Sequence, residues 1–115
     1  MYNDTKVLSG LREIEFEMQS MLNGQTSVYD VASRIWGKAM SLATESPDLM
    51  LPLWLIWGSL TDWVESRPGE SREAELKMRQ AAKEWLELNR DDVASVKAYC
   101  NRWVHDEMGY AREQH

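Results

Sequence analysis

The stretch "LMLPLWLIWGSLTDWVE", residues 49–65, is the most apolar part of this 115-residue chain and holds three of its six tryptophans. Pro52, Gly58 and Ser59 interrupt the apolar run, and Asp62 and Glu65 follow it. A membrane-spanning helix needs about 20 predominantly apolar residues. The stretch therefore predicts a helix of a soluble fold, and not a membrane span.

Helical periodicity continues on both sides of this stretch, and no segment has the two-residue alternation of a β-strand. The spacing predicts helices near residues 5–23, 27–44, 52–66, 71–88 and 92–108, followed by a mobile tail at 109–115. A chain of this length fits one domain. The sequence thus predicts an all-α fold, a compact single-domain antiparallel bundle of four to five helices.

The helix ends follow from local signals. Gly24 is typical of a helix end, Ser27 with Asp30 of a capped start, and Asp91 is the expected cap of the fifth helix. Pro52 suits the first turn of the third helix, where its missing N–H does no harm. A start at Pro47 would instead put Pro52 inside the helix and kink it.

The third helix has two distinct faces when its residues are placed at 100° intervals. One face is apolar and predicts the core contact: Leu53, Ile56, Trp57, Leu60, Trp63 and Val64. A second stripe contains Trp54, Gly58, Thr61 and Glu65, with Asp62 beside it. Either another helix packs on this stripe and uses Gly58 for close approach, or the indole and its acidic neighbours bind a partner.

The first helix offers a similar choice. Phe16, the only phenylalanine, lies opposite the apolar face and beside Glu13 and Glu17. These two carboxylates are four residues apart, which costs an isolated helix a few tenths of a kcal/mol. A basic partner would relieve the repulsion, and a solvated acidic face is the alternative. On the fourth helix, spacing predicts the ion pairs Glu73–Lys77 and Glu75–Arg79.

The net charge of −6, from 19 acidic and 13 basic residues, argues against direct binding of nucleic acid, which requires a basic surface. The acid excess is local. Residues 47–70 contain four acids and one base, whereas residues 71–90 contain four acids and five bases. An acidic surface near the end of the third helix is the expected consequence.

Few residues indicate chemistry. Cys100 is the only cysteine and lies on the apolar side of the fifth helix, which predicts an inert core thiol and no intramolecular disulfide. The "HDE" at residues 105–107 lacks the spacing that puts metal ligands on one helix face. With no phosphate loop or nucleophile elbow, we expect no enzyme activity, no cofactor and no metal. With no visible secretion signal, we expect a cytoplasmic protein.

Two segments carry a family resemblance. "MLNGQTSVYDVASRIWGKAM" (residues 21–40) and "LWLIWGSLTDWVESRPGESREAELKMRQAAKEWLEL" (residues 53–88) are similar to the opening, and to the third helix, acidic connection and fourth helix, of the colicin D type immunity proteins. The resemblance implies a bacterial antitoxin that covers the active site of a basic toxin, an RNase that cleaves tRNA, with an acidic surface. Residues 91–115 have no counterpart in the short members of that family.

The resemblance implies that Asp62, Glu65 and Glu70, extending to Glu73, bind the toxin. We add Trp54 as an aromatic anchor, and Phe16 with Glu13 and Glu17 as a further candidate surface. The alternative is a non-enzymatic helical adaptor, a secretion chaperone or a self-associating protein, in which the stripe with Trp54 is a homodimer interface.

Overall fold

The structure, a computed structural model, describes residues 5–24 and 27–109. Five α-helices follow one another in the chain: α1 (Thr5–Leu22), α2 (Val28–Leu42), α3 (Pro47–Ser66), α4 (Ser71–Glu87) and α5 (Val93–Asn101). A 3₁₀ turn (Pro68–Glu70) leads into α4, and a π-helical segment (Arg102–Glu107) continues α5. The two described ranges contain no β-strand, so the predicted all-α fold is confirmed. Of the predicted mobile tail, residues 110–115 lie outside the described residues.

The end of α1 and the start of α2 have the local signals that the sequence predicts. Gly24 has a φ of 72°, a left-handed conformation that glycine adopts without strain. The hydroxyl of Ser27 accepts a hydrogen bond from the backbone N–H of Asp30 at 3.4 Å, which satisfies a free donor of the first turn of α2.

The cap of α5 is Asp92, and the prediction of Asp91 is wrong by one residue. The Asp92 carboxylate accepts the backbone N–H of Ala94 at 3.1 Å and the hydroxyl of Ser95 at 2.8 Å. Asp91 belongs to the preceding turn, because its own N–H donates to the Asn89 side chain at 3.2 Å. Asp residues stabilise both kinds of structure, so composition alone does not choose between neighbours.

The predicted start of α3 near residue 52 is also wrong, since the helix begins at Pro47 and contains Pro52. Pro47 takes the first-turn position, where proline is tolerated. The additional turn buries Leu49 and Met50 completely. Burial of two such side chains contributes about 1.5–3 kcal/mol each, which offsets the roughly 3 kcal/mol that an internal proline costs.

The core is built around α3, which packs against α2, α4 and α5, while α1 packs against α2 and α4. Three fully buried tryptophans come from different elements: Trp57, Trp85 and Trp103. The Trp85 indole N–H donates to Glu15 at 2.9 Å, and that of Trp103 donates to Glu84 at 3.0 Å. Partly buried carboxylates thus satisfy two indole groups that would otherwise lose a hydrogen bond on burial.

The Cα radius of gyration is 13.5 Å, close to the value of about 13 Å for a compact domain of 100 residues. Among the helices of residues 5–24 and 27–109, none combines the length and the apolar character that crossing a bilayer requires.

Candidate functional site

The carboxyl-terminal half of α3 forms a shallow surface groove with the end of the π-helical segment. The groove is lined by Ser59, Asp62, Trp63, Ser66, Arg67, Glu107 and Met108. Because α3 turns its apolar face to the core, its polar residues at helical spacing form the opposite, solvent-facing wall. The groove lies in the region of acid excess that the sequence indicates.

Asp62 is exposed on this wall. Within the described part of the chain its carboxylate makes no hydrogen bond and no ion pair. The cations nearby are already engaged. Arg67 lies 3.8 Å from Glu70. Lys77 and Arg102 both contact Glu107, at 2.6 Å and 3.2 Å. The charge of Asp62 therefore stays available to a partner.

Glu65 is exposed one turn further along α3 and is oriented without being neutralised. It accepts a hydrogen bond from the Tyr29 hydroxyl of α2 at 2.8 Å. This bond raises the pKa of Tyr29, because a phenolate would lose the hydrogen bond and face the carboxylate charge. The tyrosine holds one carboxylate oxygen in place while the negative charge of Glu65 remains.

Glu70 belongs to the turn between α3 and α4 more than to the open surface. It is half-buried, and its carboxylate accepts the indole N–H of Trp63 at 2.8 Å in addition to its contact with Arg67. These contacts connect the turn to the end of α3, so the Glu70 carboxylate is less available than that of Asp62.

Glu73 is exposed near the start of α4. The predicted Glu73–Lys77 and Glu75–Arg79 pairs do not form, because Lys77 contacts Glu107 and Arg79 donates to the backbone carbonyl of Met21 at 3.0 Å. Tertiary partners replace local ones whenever packing brings them closer. Glu73 is consequently left without an ion pair in residues 5–24 and 27–109.

The candidate surface on α1 is arranged differently. Glu17 is 2.6 Å from Arg34 and has a side chain only 15% exposed, and Glu13 is 3.7 Å from Lys38. Both bases come from α2, so the chain itself compensates the like-charge pair. Phe16 between them is 69% exposed, and it remains the accessible apolar group of this surface.

At Gly58 the second stripe of α3 is covered by α2, as the first of the two interpretations predicts. A Cβ added at Gly58 would lie 3.1 Å from the Trp36 indole, so a larger residue would require the indole to shift by a few tenths of an ångström. Thr61 is buried, and its hydroxyl donates to the carbonyls of Trp57 and Gly58, each at 3.0 Å. Trp54 is half-buried against the core, and part of its indole stays accessible.

Sequence reasoning missed two groove residues, Glu107 and Met108. They lie more than forty positions from Asp62 in the chain, and only the packing of the π-helical segment against α3 brings them to the groove. Segments of π-helix occur frequently at functional sites. No local pattern signals this one.

The candidate site offers charges and hydrogen-bond acceptors. Burial raises the pKa of the Cys100 thiol to about 12, so the thiol stays protonated and unreactive near neutral pH. In the described part of the chain, no three side chains of His, Cys, Asp or Glu converge on a position that could hold a metal. The exposed carboxylates of the candidate site are suited to binding a positively charged surface.

Comparison with protein-family models, curated proteins and solved structures finds no match for this chain. The resemblance of residues 21–40 and 53–88 to the colicin D type immunity proteins therefore remains a prediction made from those residues.

Proposed function

We propose that this protein is a cytoplasmic bacterial immunity protein, which binds a basic protein toxin and covers the toxin's active site. The resemblance implies that this toxin is an RNase. One observation supports the proposal above all: Asp62, Glu65 and Glu73 are exposed around the end of α3, and no lysine or arginine among the described residues neutralises them.

An uncompensated acidic surface acts at two stages of binding. At long range, the net charge of −6 attracts a basic cleft and raises the association rate, in a manner that salt screens. At contact, each carboxylate occupies a position in which the nuclease would otherwise hold a phosphate. The toxin then cannot bind RNA while it holds the immunity protein.

Orientation adds to the charge. The Tyr29 hydroxyl fixes the Glu65 carboxylate at 2.8 Å, so less side-chain freedom is lost when a partner arginine binds. Glu70 and Arg67 shape the adjoining turn. Of the four residues carried over from the resemblance, we assign direct toxin contacts to Asp62, Glu65 and Glu73.

The test uses the protein encoded next to this chain's gene, with its nuclease activity inactivated for binding measurements. We expect Asp62→Lys combined with Glu65→Lys to weaken Kd by about 100-fold or more, because two close charge contacts turn into repulsions. Affinity of the unaltered protein should fall as NaCl is raised. The double variant should unfold at nearly the same urea concentration as the unaltered protein.

The matched control is Glu87→Lys combined with Asp91→Lys, which changes the net charge equally at the other end of α4. Among the described residues, Glu87 and Asp91 make one ion pair, Lys83–Glu87, which is well exposed and contributes little. The control should bind within about fivefold of the unaltered protein, as long-range steering alone is affected. Affinity that is insensitive to both salt and the Asp62 and Glu65 reversal would contradict this mechanism.

Protection in cells tests the function itself. Growth of bacteria that express the active neighbouring toxin should depend on co-expression of this chain, and the Asp62 and Glu65 double variant should protect less than the control. If the chain gives no protection against that toxin and does not bind it, the immunity function is wrong.

A self-associating adaptor or chaperone is the second candidate, since part of the Trp54 indole remains accessible. Light scattering with size-exclusion chromatography distinguishes the two. A stable dimer that Trp54→Ala dissolves would favour self-association, whereas a monomer would favour the binding of a separate toxin.

A further inference from the structure

The outer side of the α2–α3 pair exposes large apolar side chains. Met40 is 46% exposed and Leu51 is 39% exposed, although both belong to helices of the core. Trp36 and Trp54 are half-buried and pack against the core with only part of their rings. We name these four residues the α2–α3 seam.

Two contacts fix the antiparallel register of the seam. The Tyr29 hydroxyl donates a hydrogen bond to Glu65, and the Trp36 indole covers Gly58. Trp36 is seven residues after Tyr29 in α2, and Gly58 is seven residues before Glu65 in α3. Continuing this register by one helical turn brings Met40 opposite Trp54, with Leu51 in the next turn of α3. The four apolar side chains therefore form one continuous strip.

Gly37 lies beside this strip in the middle of α2, and the packing of the described residues gives no reason for a glycine there. Its φ is not in the left-handed region, and a Cβ added to it would meet nothing within 4 Å. A glycine inside a helix costs about 1 kcal/mol relative to alanine. Ser33 and Ser41, one turn before and after, extend a row of small residues along which another helix could approach closely.

Charge decides which occupant fits the seam. Asp30, Asp62 and Glu65 are exposed around it, whereas the bases of α2, Arg34 and Lys38, face α1 and contact its glutamates. A second copy of the chain would bring acid against acid across a two-fold axis. A helix that carries lysines or arginines beside its apolar face would instead be attracted.

We infer that the α2–α3 seam binds an amphipathic helix of the partner protein, with apolar side chains on Trp36, Met40, Leu51 and Trp54 and with basic side chains toward Asp62 and Glu65. The inference rests on the proposed function in that the partner is the same basic protein. It adds an apolar half to the acidic site, and aromatic anchors such as Trp36 and Trp54 would slow dissociation.

A defined peptide tests the seam without knowledge of the partner. The probe is a fluorescein-labelled synthetic helix of leucine and lysine with one apolar face, and its binding is followed by fluorescence anisotropy. Met40→Glu should weaken binding at least tenfold. The added carboxylate attracts a basic peptide, so weaker binding to a variant with an unchanged urea midpoint comes from the lost apolar contact.

Leu76→Glu is the matched control. Leu76 is 61% exposed on α4, so the variant adds the same charge at an exposed apolar side chain outside the seam, and the peptide should bind it as well as it binds the unaltered protein. Gly37→Ala should raise the urea midpoint of unfolding and yet weaken peptide binding. A role in folding alone would not give these opposite effects.

Three results would overturn the inference. A peptide with serine in place of leucine could bind as tightly, Met40→Glu could bind like the unaltered protein, or light scattering could reveal a dimer that Met40→Glu dissolves. The proposed function is tested separately. Toxin binding that survives Met40→Glu but is lost on reversal of Asp62 and Glu65 would retain that function and refute the apolar contact.

Discussion

Two acidic surfaces that look alike in the sequence have different fates in the fold. On α1, Glu17 contacts Arg34 at 2.6 Å and Glu13 contacts Lys38 at 3.7 Å. On α3, Asp62 is exposed without such a base in the described part of the chain. A local acid excess stays accessible only where packing fails to supply a base, and this difference separates carboxylates that serve the fold from those that remain exposed.

Other carboxylates belong clearly to the first group. Glu15 accepts the indole N–H of buried Trp85 at 2.9 Å and contacts Arg90 at 2.8 Å. Glu84 accepts the indole of Trp103 and also contacts Arg102. Each lies where two elements meet, so donors of the chain itself pair with its negative charge. These residues explain why the net charge does not spread evenly over the surface.

The largest difference between the groups should appear when Glu15 and Asp62 are replaced by alanine. Glu15→Ala leaves the buried Trp85 N–H without an acceptor and Arg90 without its carboxylate, which should lower the free energy of unfolding by about 2–3 kcal/mol. Asp62→Ala should change it by less than about 0.5 kcal/mol. Urea unfolding followed by tryptophan fluorescence measures both.

Glu15→Gln serves as the control, because an amide oxygen still accepts the indole N–H while the charge is removed. Its loss should be about half that of Glu15→Ala. If Asp62→Ala destabilised the protein as much as Glu15→Ala, the division between the two groups would be wrong.

Local signals predicted from the sequence what depends on neighbouring residues. The five helices, the left-handed Gly24, the Ser27 cap and the buried Cys100 all follow from spacing and side-chain chemistry. The close approach at Gly58 was one of two interpretations, and the structure selects it.

Properties that depend on distant parts of the chain could not be predicted in this way. Lys77 had a suitable partner four residues earlier, yet its contact is with Glu107 from the π-helical segment. The start of α3 depended on the burial of Leu49 and Met50, which exceeds the local cost of Pro52. For the same reason, the sequence could suggest two acidic surfaces but could not decide which one the chain neutralises.

A double-mutant cycle sharpens the comparison on α1. Glu17→Gln, Arg34→Gln and their combination should give a coupling energy of about 0.5–1 kcal/mol, because the pair is short but the Arg34 side chain is 46% exposed. Urea unfolding at low and high salt measures it, and salt should reduce it. The same cycle with Glu73→Gln and Arg34→Gln should give no coupling. A coupling energy of zero for Glu17 and Arg34 would place Glu17 with the accessible carboxylates.

The smallest expected effect is a change in stability at low pH, which compares the Asp92 cap with Asp62. Hydrogen bonds from the Ser95 hydroxyl, and from the N–H groups of Ala94 and Ser95, lower the pKa of Asp92 below its ordinary value of 3.8. A carboxyl group with a lowered pKa in the folded state stabilises the fold above its unfolded pKa, and that stability is lost as the pH falls through the folded pKa. Asp92→Asn should therefore lower the urea midpoint slightly at neutral pH, and the difference from the unaltered protein should shrink as the pH falls below 3.8 and disappear once the pH is below the folded pKa of Asp92. Asp62→Asn should leave the urea midpoint nearly unchanged at both pH values, because Asp62 has no comparable donors in residues 5–24 and 27–109. A pH-dependent difference for Asp62→Asn as large as that for Asp92→Asn would mean that the fold already uses the Asp62 carboxylate.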